Sequence, residues 1–323
     1  MPSEFRPTRP SDGAELRALA ERLLGVAPDS PMFEERHMRW KYWGGDDDSC
    51  PRGYVLVRDG AIVAHAGVLP LRCRTPAGPA TLLHPFDWMS EPSAIGSGAA
   101  LLSRLNKLAD GLLIVGGSAM TQRMARPLGF RAFGEVQLYA AAAASRSPEP
   151  GPKAASYEIR LIAPTALPRP LGPAPSWLGF ERSASWLSAC LACPALPMEL
   201  VSVSRDGHAL GELMLAFAPG QARVAAFWPR ASDPAQRAAL LVAARQLAAA
   251  RAGVDEIVCM ANAPDDRRAL DAAGFRAVGA VPMFVLAAAS MIGDGDWLAF
   301  HMLDGDLAFL HDGHPRPWLP ASG

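Results

Sequence analysis

The amino-acid sequence predicts an α+β protein made of two copies of one domain in tandem, each a mixed, mostly antiparallel sheet flanked by helices. Three observations predict this fold class. The chain has 323 residues, enough for two domains of ordinary size. Short motifs recur in the second half in the same order. The helix-like and strand-like patterns around these motifs follow the same succession in both halves.

Three motifs recur about 146 positions apart. They are Glu35-Arg36-x-x-x-Trp40 with Glu181-Arg182-x-x-x-Trp186, Arg58-Asp59-Gly60 with Arg205-Asp206-Gly207, and Gly129-Phe130-Arg131-Ala132-Phe133-Gly134 with Gly274-Phe275-Arg276-Ala277-Val278-Gly279. One Arg-Asp-Gly turn recurs easily by chance. Three matches at nearly one spacing indicate one structural unit used twice.

Between the copies lies a stretch rich in Pro and Ala, with linker chemistry in Ser147-Pro148-Glu149-Pro150-Gly151-Pro152. We therefore predict a first domain over residues 1–145, a linker over 146–175 and a second domain over 176–323. A short strand over 157–162 stays open as an alternative within the linker.

The first copy contains four patterns typical of helices and five typical of strands. Ser11 and Asp12 are good N-cap residues ahead of leucines at helical spacing, and Asp59-Gly60 between two apolar runs is a tight-hairpin signal. The predicted elements are helix 11–24, helix 33–43, strands 53–58, 61–69 and 81–89, helix 99–108, strand 112–115, helix 120–126 and strand 134–141.

The second copy repeats this order after its own Asp206-Gly207 hairpin. The predicted elements are strand 222–228, helix 234–251, strand 256–260, helix 263–273 and strand 280–286. Asp294-Gly295-Asp296 and Asp304-Gly305-Asp306 are interpreted as turns around a strand over 297–302, because no Glu completes a calcium-loop spacing.

Composition narrows the function classes. The formal net charge is −1, with basic and acidic residues scattered along the chain, so we expect no nucleic-acid partner. No apolar run is long enough for a membrane helix, and the first residues lack a signal-peptide core, which predicts no membrane insertion and a cytoplasmic location. Cys190-x-x-Cys193 has no second pair, so it is interpreted as apolar lining and no metal site is predicted.

The order of elements, with Trp40-Lys41-Tyr42 ahead of the hairpin and a glycine loop after the third strand, resembles the GNAT superfamily of acyl-CoA N-acyltransferases, and most closely its branch with a Trp-Lys-Tyr motif. The resemblance covers most of residues 5–141 and, more weakly, 176–287. It implies acetyl-CoA or another acyl-CoA as co-substrate. The cofactor-binding residues that it implies are Trp88, Met89, Ile95, Gly96, Ser97, Gly98, Ala99, Ala100 and Ser118.

The chemistry of helix ends favours this loop independently of the resemblance. A helix N-terminus offers unpaired backbone N–H groups and a partial positive charge to a diphosphate, and glycine keeps Cβ atoms out of the way. The first loop position, usually Arg or Gln in the superfamily, is Ile95 here. In the second copy no glycine precedes the helix at 234, and Arg237 falls where Gly98 would be, so we predict that this copy does not bind coenzyme A in the usual way.

Acyl transfer to an amine needs a proton acceptor, and the superfamily often supplies it from the strand before the loop. Asp87 is that carboxylate, with a loop-binding Asp as the alternative interpretation. His84, expected on the opposite strand face, is a weaker base candidate. Lys41 and Tyr42 either line the acceptor site or belong to the core. The tyrosine that protonates the thiolate in the superfamily is replaced by Ala125, and by Leu270 in the second copy.

The sequence thus favours an N-acyltransferase that uses the first copy, with a small amine or amino sugar as acceptor. Two alternatives remain open. One is an aminoacyl transferase that draws on aminoacyl-tRNA, for which the charge balance offers no basic groove. The other is a non-catalytic tandem scaffold or ligand sensor, which the missing tyrosine and the glycine-free second loop favour. The oligomeric state is not predicted.

Overall fold

A computed structural model describes residues 3–43, 52–75, 77–143, 157–166, 178–230, 233–293, 298–309 and 317–319. The linker motif Ser147–Pro152 and the Asp294–Asp296 turn lie outside these residues. The first half contains β1 (Glu4–Pro7), α1 (Gly13–Leu24), α2 (Glu35–Met38), β2 (Gly53–Arg58), β3 (Ala61–Thr75), β4 (Gly78–Ser90), α3 (Ser97–Leu105), β5 (Gly111–Val115), α4 (Ala119–Ala125) and β6 (Arg131–Ala142).

The second half repeats this succession. It contains β7 (Tyr157–Leu161), β8 (Leu178–Gly179), α5 (Ala184–Leu191), β9 (Met198–Arg205), β10 (His208–Ala218), β11 (Gly220–Pro229), α6 (Pro234–Ala250), β12 (Val254–Ala261), α7 (Pro264–Ala272), β13 (Arg276–Ala287) and β14 (Leu298–Ala299). Short 3-10 helices at Met302–Asp304 and Asp306–Ala308 follow. We call residues 298–309 the C-terminal segment.

Three of the differences between the predicted and the observed elements bear on the site. The helix expected over 99–108 begins at Ser97 and ends at Leu105, because Gly96 adopts a left-handed conformation (φ 81°) that starts the helix directly after it. The helix expected over 33–43 is a short α2 followed by a π-helical turn over Arg39–Trp43. The strand expected over 297–302 is limited to β14 in the described residues, since the chain turns into a 3-10 helix at Met302.

Twelve strands form one continuous sheet in the order β1-β2-β3-β4-β5-β13-β6-β12-β11-β10-β9-β7. The predicted mixed, mostly antiparallel sheet is confirmed, because the pairs β4–β5 and β11–β12 are parallel and the other ladders of this sheet are antiparallel. Within the predicted linker, β7 pairs with β9 at the sheet edge.

The two halves exchange their closing strands. β13 of the second half pairs with β5 of the first, β6 of the first half pairs with β12 of the second, and β6 and β13 pair with each other. The registers are equivalent: Gly111 faces Ala287 in one junction and Glu256 faces Ala142 in the other. Val136 faces Val281, its own counterpart in the repeat, so a pseudo-twofold axis passes through the middle of the sheet.

Helices cover both faces of the first half of the sheet. On one face α3 packs with Leu101, Leu102 and Leu105 against residues of β2 to β5. On the other face α1, the π-helical turn and the C-terminal segment share one large apolar cluster, which also holds Cys190 and Cys193. The candidate site lies on this second face. Among the described residues, no helix is both long and apolar enough to cross a membrane.

Candidate active site

A β-bulge in β4 turns Asp87 toward the face of the sheet that carries α1. His65 of β3 faces Met89 and Gly67 faces Phe86, so Asp87 and Trp88 together oppose the single residue Ala66. Asp87 has φ 44°, a left-handed conformation that Asp tolerates better than most residues. A bulge re-aims side chains in this way, which here brings the Asp87 carboxylate to the helices on that face.

The π-helical turn supplies two donors to this carboxylate. Lys41 Nζ and Tyr42 Oη each lie 2.6 Å from Asp87 Oδ2. The Lys41 ammonium also stands 4.8 Å from the centre of the Phe86 ring, a cation–π distance. Lys41 and Tyr42, which the sequence left between core and acceptor site, are buried and bound to Asp87.

A second carboxylate reaches the same lysine from the other half of the chain. Asp306 Oδ2 lies 3.5 Å from Lys41 Nζ, and the exposed fractions of the side chains are 3% for Lys41, 9% for Asp87 and 15% for Asp306. We call Lys41, Tyr42, Asp87 and Asp306 the carboxylate–lysine cluster. Asp306 therefore belongs to the site, although the sequence presented it only as a turn residue.

Burial and charge separate the two carboxyl groups. Burial raises the pKa of Asp87, but the charge of Lys41 and the hydrogen bonds from Lys41 and Tyr42 outweigh it, so the pKa lies below the ordinary value. Burial raises the pKa of Asp306 to about 6, with the charge of Asp87 adding to this effect and that of Lys41 opposing it. The two carboxyl groups are thus shifted in opposite directions, and Asp306 is the easier of the two to protonate.

Asp306 also lines a small pocket. Its other lining residues are Trp40, Lys41, Arg52, Leu69, Phe86 and Phe309. Three of these side chains are aromatic, and Asp306 is the acidic group in the lining. Lys41 and Arg52 also line it, and their cations stand over the Phe86 and Trp40 rings, so the Asp306 carboxylate is the group in the lining that attracts an ammonium.

Two buried histidines flank the cluster. The His65 Nδ1–H donates to the backbone carbonyl of Asp87 over 3.2 Å, and the His84 Nδ1–H donates to the carbonyl of Leu113 over 2.8 Å. Burial lowers the pKa of each to about 4, so both rings are neutral at pH 7. The prediction that His84 lies on the face opposite Asp87 was wrong, because the bulge adds one residue and reverses the alternation. His84 packs against Phe300 of the C-terminal segment.

The C-terminal segment is held over the site by a buried ion pair. The Arg182 guanidinium contacts the Asp304 carboxylate, and the exposed fractions of these side chains are 4% and 1%. Asp304 also accepts the backbone N–H of His301 over 2.7 Å. Two residues further on, Asp306 reaches Lys41. The Asp304-Gly305-Asp306 turn therefore connects the second half of the chain to the site in the first.

The parallel strands β4 and β5 part beside this cluster. Their ladder covers Leu82 with Gly111 and Leu83 with Leu112, whereas β4 continues to Ser90 and β5 to Val115. Beyond this point a hydrogen bond from the His84 side chain to the Leu113 carbonyl connects β4 with β5. The parting leaves an interruption in the sheet between Asp87 on one face and α3 on the other.

The N-terminus of α3 lies at this interruption. The N-cap Gly96 has no side chain to accept a hydrogen bond, and the Ser97 N–H donates to the carbonyl of Ala94. The first intrahelical bond runs from the Ala100 N–H to the Gly96 carbonyl, so the N–H groups of Gly98 and Ala99 have no acceptor within the helix. The indole N–H of Trp88 is buried and has no partner among the described residues. It lies 3.2 Å from the point where a Cβ on Gly98 would be.

The glycines are explained by geometry as well as by a ligand. A Cβ on Gly98 would come within 2.9 Å of Ser90 Oγ, so glycine lets α3 pack closely on β4. Position 96 favours glycine because its φ is positive, a conformation that strains most residues with a side chain. The helix mouth thus presents several N–H donors without acceptors, which is the arrangement that a diphosphate fits.

The remaining predicted cofactor residues are placed as follows. Ile95 is 91% exposed beside the mouth of α3, and Ala100 continues the exposed side of the helix. Met89 is buried in the apolar cluster on the α1 face, so its side chain is a packing residue. The hydroxyl of Ser118 caps α4 by accepting the N–H of Thr121 over 3.2 Å. Ala125, in the position of the missing tyrosine, is buried.

The corresponding region of the second half is closed. Asp233 caps α6 by accepting the Ala235 N–H, which places a negative charge where a phosphate would bind. The Arg237 guanidinium pairs with the Asp266 carboxylate, and His301 approaches Asp266 to 3.3 Å while stacking on Phe227.

The strand of the second half also lacks the carboxylate. β11 has its own bulge, between the pairs Met214–Ala226 and Leu215–Val224, which places Ala225 where β4 has Asp87. Within β11, which the structure describes in full, no acidic residue takes the place of Asp87. These contacts leave the first half as the candidate site.

Asp306 and His65 are the site residues that sequence reasoning missed. Asp306 stands in a Gly-containing turn far along the chain, and no local pattern connects it with Lys41. His65 lies within an apolar strand-like run, where a lone histidine is a weak signal. A polar residue inside such a run is the one feature that points to it.

No family model and no curated protein matches the sequence. Solved structures match the fold of the chain. A GCN5-related N-acetyltransferase from Anabaena variabilis has a TM-score of 0.58 and 10% identity over 88% of this chain and 72% of that chain. A probable N-acyltransferase from Enterococcus faecalis has a TM-score of 0.56 and 13% identity over 88% and 72%.

A tandem GNAT protein from the clavulanic acid biosynthesis pathway is also similar. Its TM-score is 0.50 and its identity 12%, over 88% of this chain and 98% of that chain. At these identities the likeness concerns the fold. The chain has the fold of the GCN5-related N-acetyltransferases.

Proposed function

We propose that the protein is an N-acyltransferase that uses the first half of the chain. It transfers an acetyl or other acyl group from acyl-CoA to a small amine or amino sugar. The observation that carries the proposal is the parting of β4 and β5 between an uncapped helix mouth and the carboxylate–lysine cluster. A thioester reaching through this interruption has phosphate donors on one face and an acceptor pocket on the other.

On the cofactor side, the backbone N–H groups of Gly98 and Ala99 and the indole N–H of Trp88 would hold the diphosphate. The thioester of the bound co-substrate supplies the activated acyl group. The side chain of Ile95 cannot donate a hydrogen bond to a phosphate, so this part of the binding depends on backbone donors.

On the acceptor side, the pocket of Asp306 would receive the ammonium group. The sequence predicts Asp87 as the base, and a carboxylate of the cluster must take the proton before the nitrogen can attack. The departing thiolate is left to protonation from solvent, because Ala125 offers no acid. Oriented binding of the two reactants then supplies much of the rate enhancement.

Thermal denaturation with acetyl-CoA tests the cofactor part. At about 100 times its Kd the ligand adds about 2.7 kcal/mol to the free energy of unfolding. We expect this stabilisation in the wild type and in Ser103→Arg, which adds the same side chain at an exposed position of the same helix. We expect none in Gly98→Arg.

Turnover is then measured by release of free thiol from acetyl-CoA with a panel of primary amines and amino sugars. Amine-dependent thiol release supports the enzyme. Binding of acetyl-CoA without release with any amine, and without release from longer acyl-CoAs, would instead favour a ligand sensor. Absence of any stabilisation by acyl-CoA would refute the proposal.

A further inference from the structure

We infer that Asp306, contributed by the second half of the chain, is the proton acceptor for the substrate amine, whereas Asp87 holds Lys41 in place. This inference rests on the proposed function and names a residue that its mechanism requires. It assigns the base to a different element from the strand that the sequence indicates.

The two carboxylates differ in the hydrogen bonds that they already accept. Asp87 Oδ2 accepts from both Lys41 and Tyr42 at 2.6 Å, and these short charge-assisted bonds stabilise its ionised form. Taking up a proton would break them. Asp306 is 3.5 Å from the same lysine, a longer and weaker contact, so its protonation costs less.

Asp306 is also the more accessible of the two carboxylates. The pocket is lined by Asp306 but not by Asp87, and the Asp306 side chain is more exposed, 15% against 9%. An ammonium group that enters beside Phe86 and Phe309 meets the carboxylate of Asp306 first.

The surroundings of Asp306 favour its protonation. Four charged or titratable groups face Asp306: Lys41 and Tyr42 from the π-helical turn, Asp87 from β4, and Arg52 ahead of β2. Two more lie beside its chain neighbours. Arg223 of β11 donates to the Leu307 carbonyl, and His84 lies beside Gly305. Burial and the charge of Asp87 raise the pKa of Asp306 to about 6 against the opposing charge of Lys41. A base with a pKa near the working pH transfers protons most efficiently.

The step balances as follows. The ammonium gives one proton to the Asp306 carboxylate, and the freed nitrogen lone pair forms the C–N bond with the thioester carbonyl carbon. The C–S bond breaks and its electron pair leaves with sulfur. The amide nitrogen loses its second proton to solvent, the thiolate takes one from solvent, and Asp306 releases its own proton before the next turnover.

The test is the pH profile of kcat/KM for an alkyl amine, which itself ionises near pH 10, at about the value of a lysine side chain. In the wild type kcat/KM should rise through an apparent pKa of about 6, the value of Asp306, and stay level between about pH 7 and 9. In Asp306→Asn we expect a loss of about 10²-fold at pH 7 and a continuous rise of about tenfold per pH unit, because only the neutral amine reacts. Asp306→Glu should keep the level region.

Three comparisons make the result decisive. Asp206→Asn, in the exposed hairpin of the same half, should behave as the wild type. Asp306→Asn should still be stabilised by acetyl-CoA, since α3 lies on the other face of the sheet. A wild-type-like profile in Asp306→Asn, or a loss of the limb near pH 6 in Asp87→Asn alone, would overturn the inference. If the wild type itself neither binds acetyl-CoA nor acylates any amine, the proposed function fails first.

Discussion

Lys41 Nζ lies 2.6 Å from the carboxylate of Asp87 and also 3.5 Å from that of Asp306, so one buried ammonium serves a carboxylate from each half of the chain. Two like charges in a site with little water cannot both be stable without it. Lys41 therefore sets the ionisation of both acids, and the removal of each member of the cluster has a different consequence.

Replacing Lys41 by methionine removes the cation that both buried carboxyl groups contact. We expect the free energy of unfolding to fall by about 3–5 kcal/mol at pH 7 in urea denaturation. The loss should be smaller at pH 5, where Asp306 and then Asp87 become protonated in the variant. The double variant Lys41→Met/Asp87→Asn should recover part of the loss, because the two residues interact directly.

Arg39→Met is the matched control, since it removes a cation from the same turn. Arg39 pairs with Glu35 at 3.1 Å, but the two side chains are 60% and 80% exposed. Such surface pairs contribute about 0–1 kcal/mol. An equal loss of unfolding free energy in Arg39→Met and Lys41→Met would show that the buried cluster contributes no more to stability than a surface ion pair.

The two carboxyl groups should affect stability with opposite dependence on pH. The pKa of Asp306 is raised in the folded state, so between about pH 4 and 6 the folded protein binds more protons than the unfolded chain, and stability falls as pH rises. Asp306→Asn should remove this decline, so the stability of the variant relative to the wild type should increase as pH rises from 4 to 7. Urea titrations at several pH values measure the difference.

Asp87 has the opposite sign. Its pKa is lowered in the folded state, so its contribution to stability is present above the ordinary pKa of an aspartate and disappears only as pH falls through the folded value. Asp87→Asn should therefore be less stable than the wild type throughout pH 5–8. If, as pH rises from 4 to 7, Asp87→Asn becomes more stable and Asp306→Asn less stable relative to the wild type, the assignment of the two pKa directions is reversed.

The sequence was sufficient for the repeat, the hairpins, the helix after the third strand and Asp87 as a candidate, because each depends on local patterns. The bulge at Asp87 could not be predicted, since it depends on a register shift against β3 that no dipeptide signals. Asp306 was missed because its partner Lys41 lies in another half of the chain.

The strand exchange was beyond the sequence for a different reason. β6 and β13 carry the same Gly-Phe-Arg motif ahead of them, so each fits beside β5 or β12 equally well by local criteria. Which strand pairs with which is decided by the connection between the halves and by packing of the whole sheet. The prediction of separate domains over 1–145 and 176–323 therefore remains a prediction about folding units.

Asp304→Asn should weaken the attachment of the C-terminal segment. The variant leaves Arg182 buried without its counter-charge, and loss of one partner of a buried pair costs about 3–5 kcal/mol. Because Asp306 follows Asp304 closely, we expect turnover to fall although Asp306 itself is unchanged. Hydrogen exchange should show faster exchange of residues 298–309 than in the wild type. Unchanged exchange and full activity would mean that other contacts hold the segment.

The strand exchange predicts that cutting the chain between the halves does not release two proteins. A protease site introduced at Pro150, within the linker that the sequence predicts, divides the chain between the halves when it is cleaved. Since β13 pairs with β5, and β6 with both β13 and β12, each fragment contributes the closing strand of the other. The two fragments should elute together in size-exclusion chromatography and melt in one transition. They should separate only in denaturant. If they separate in native buffer, each with its own cooperative transition, then each half can close its sheet with its own last strand, and the exchange is not required for folding.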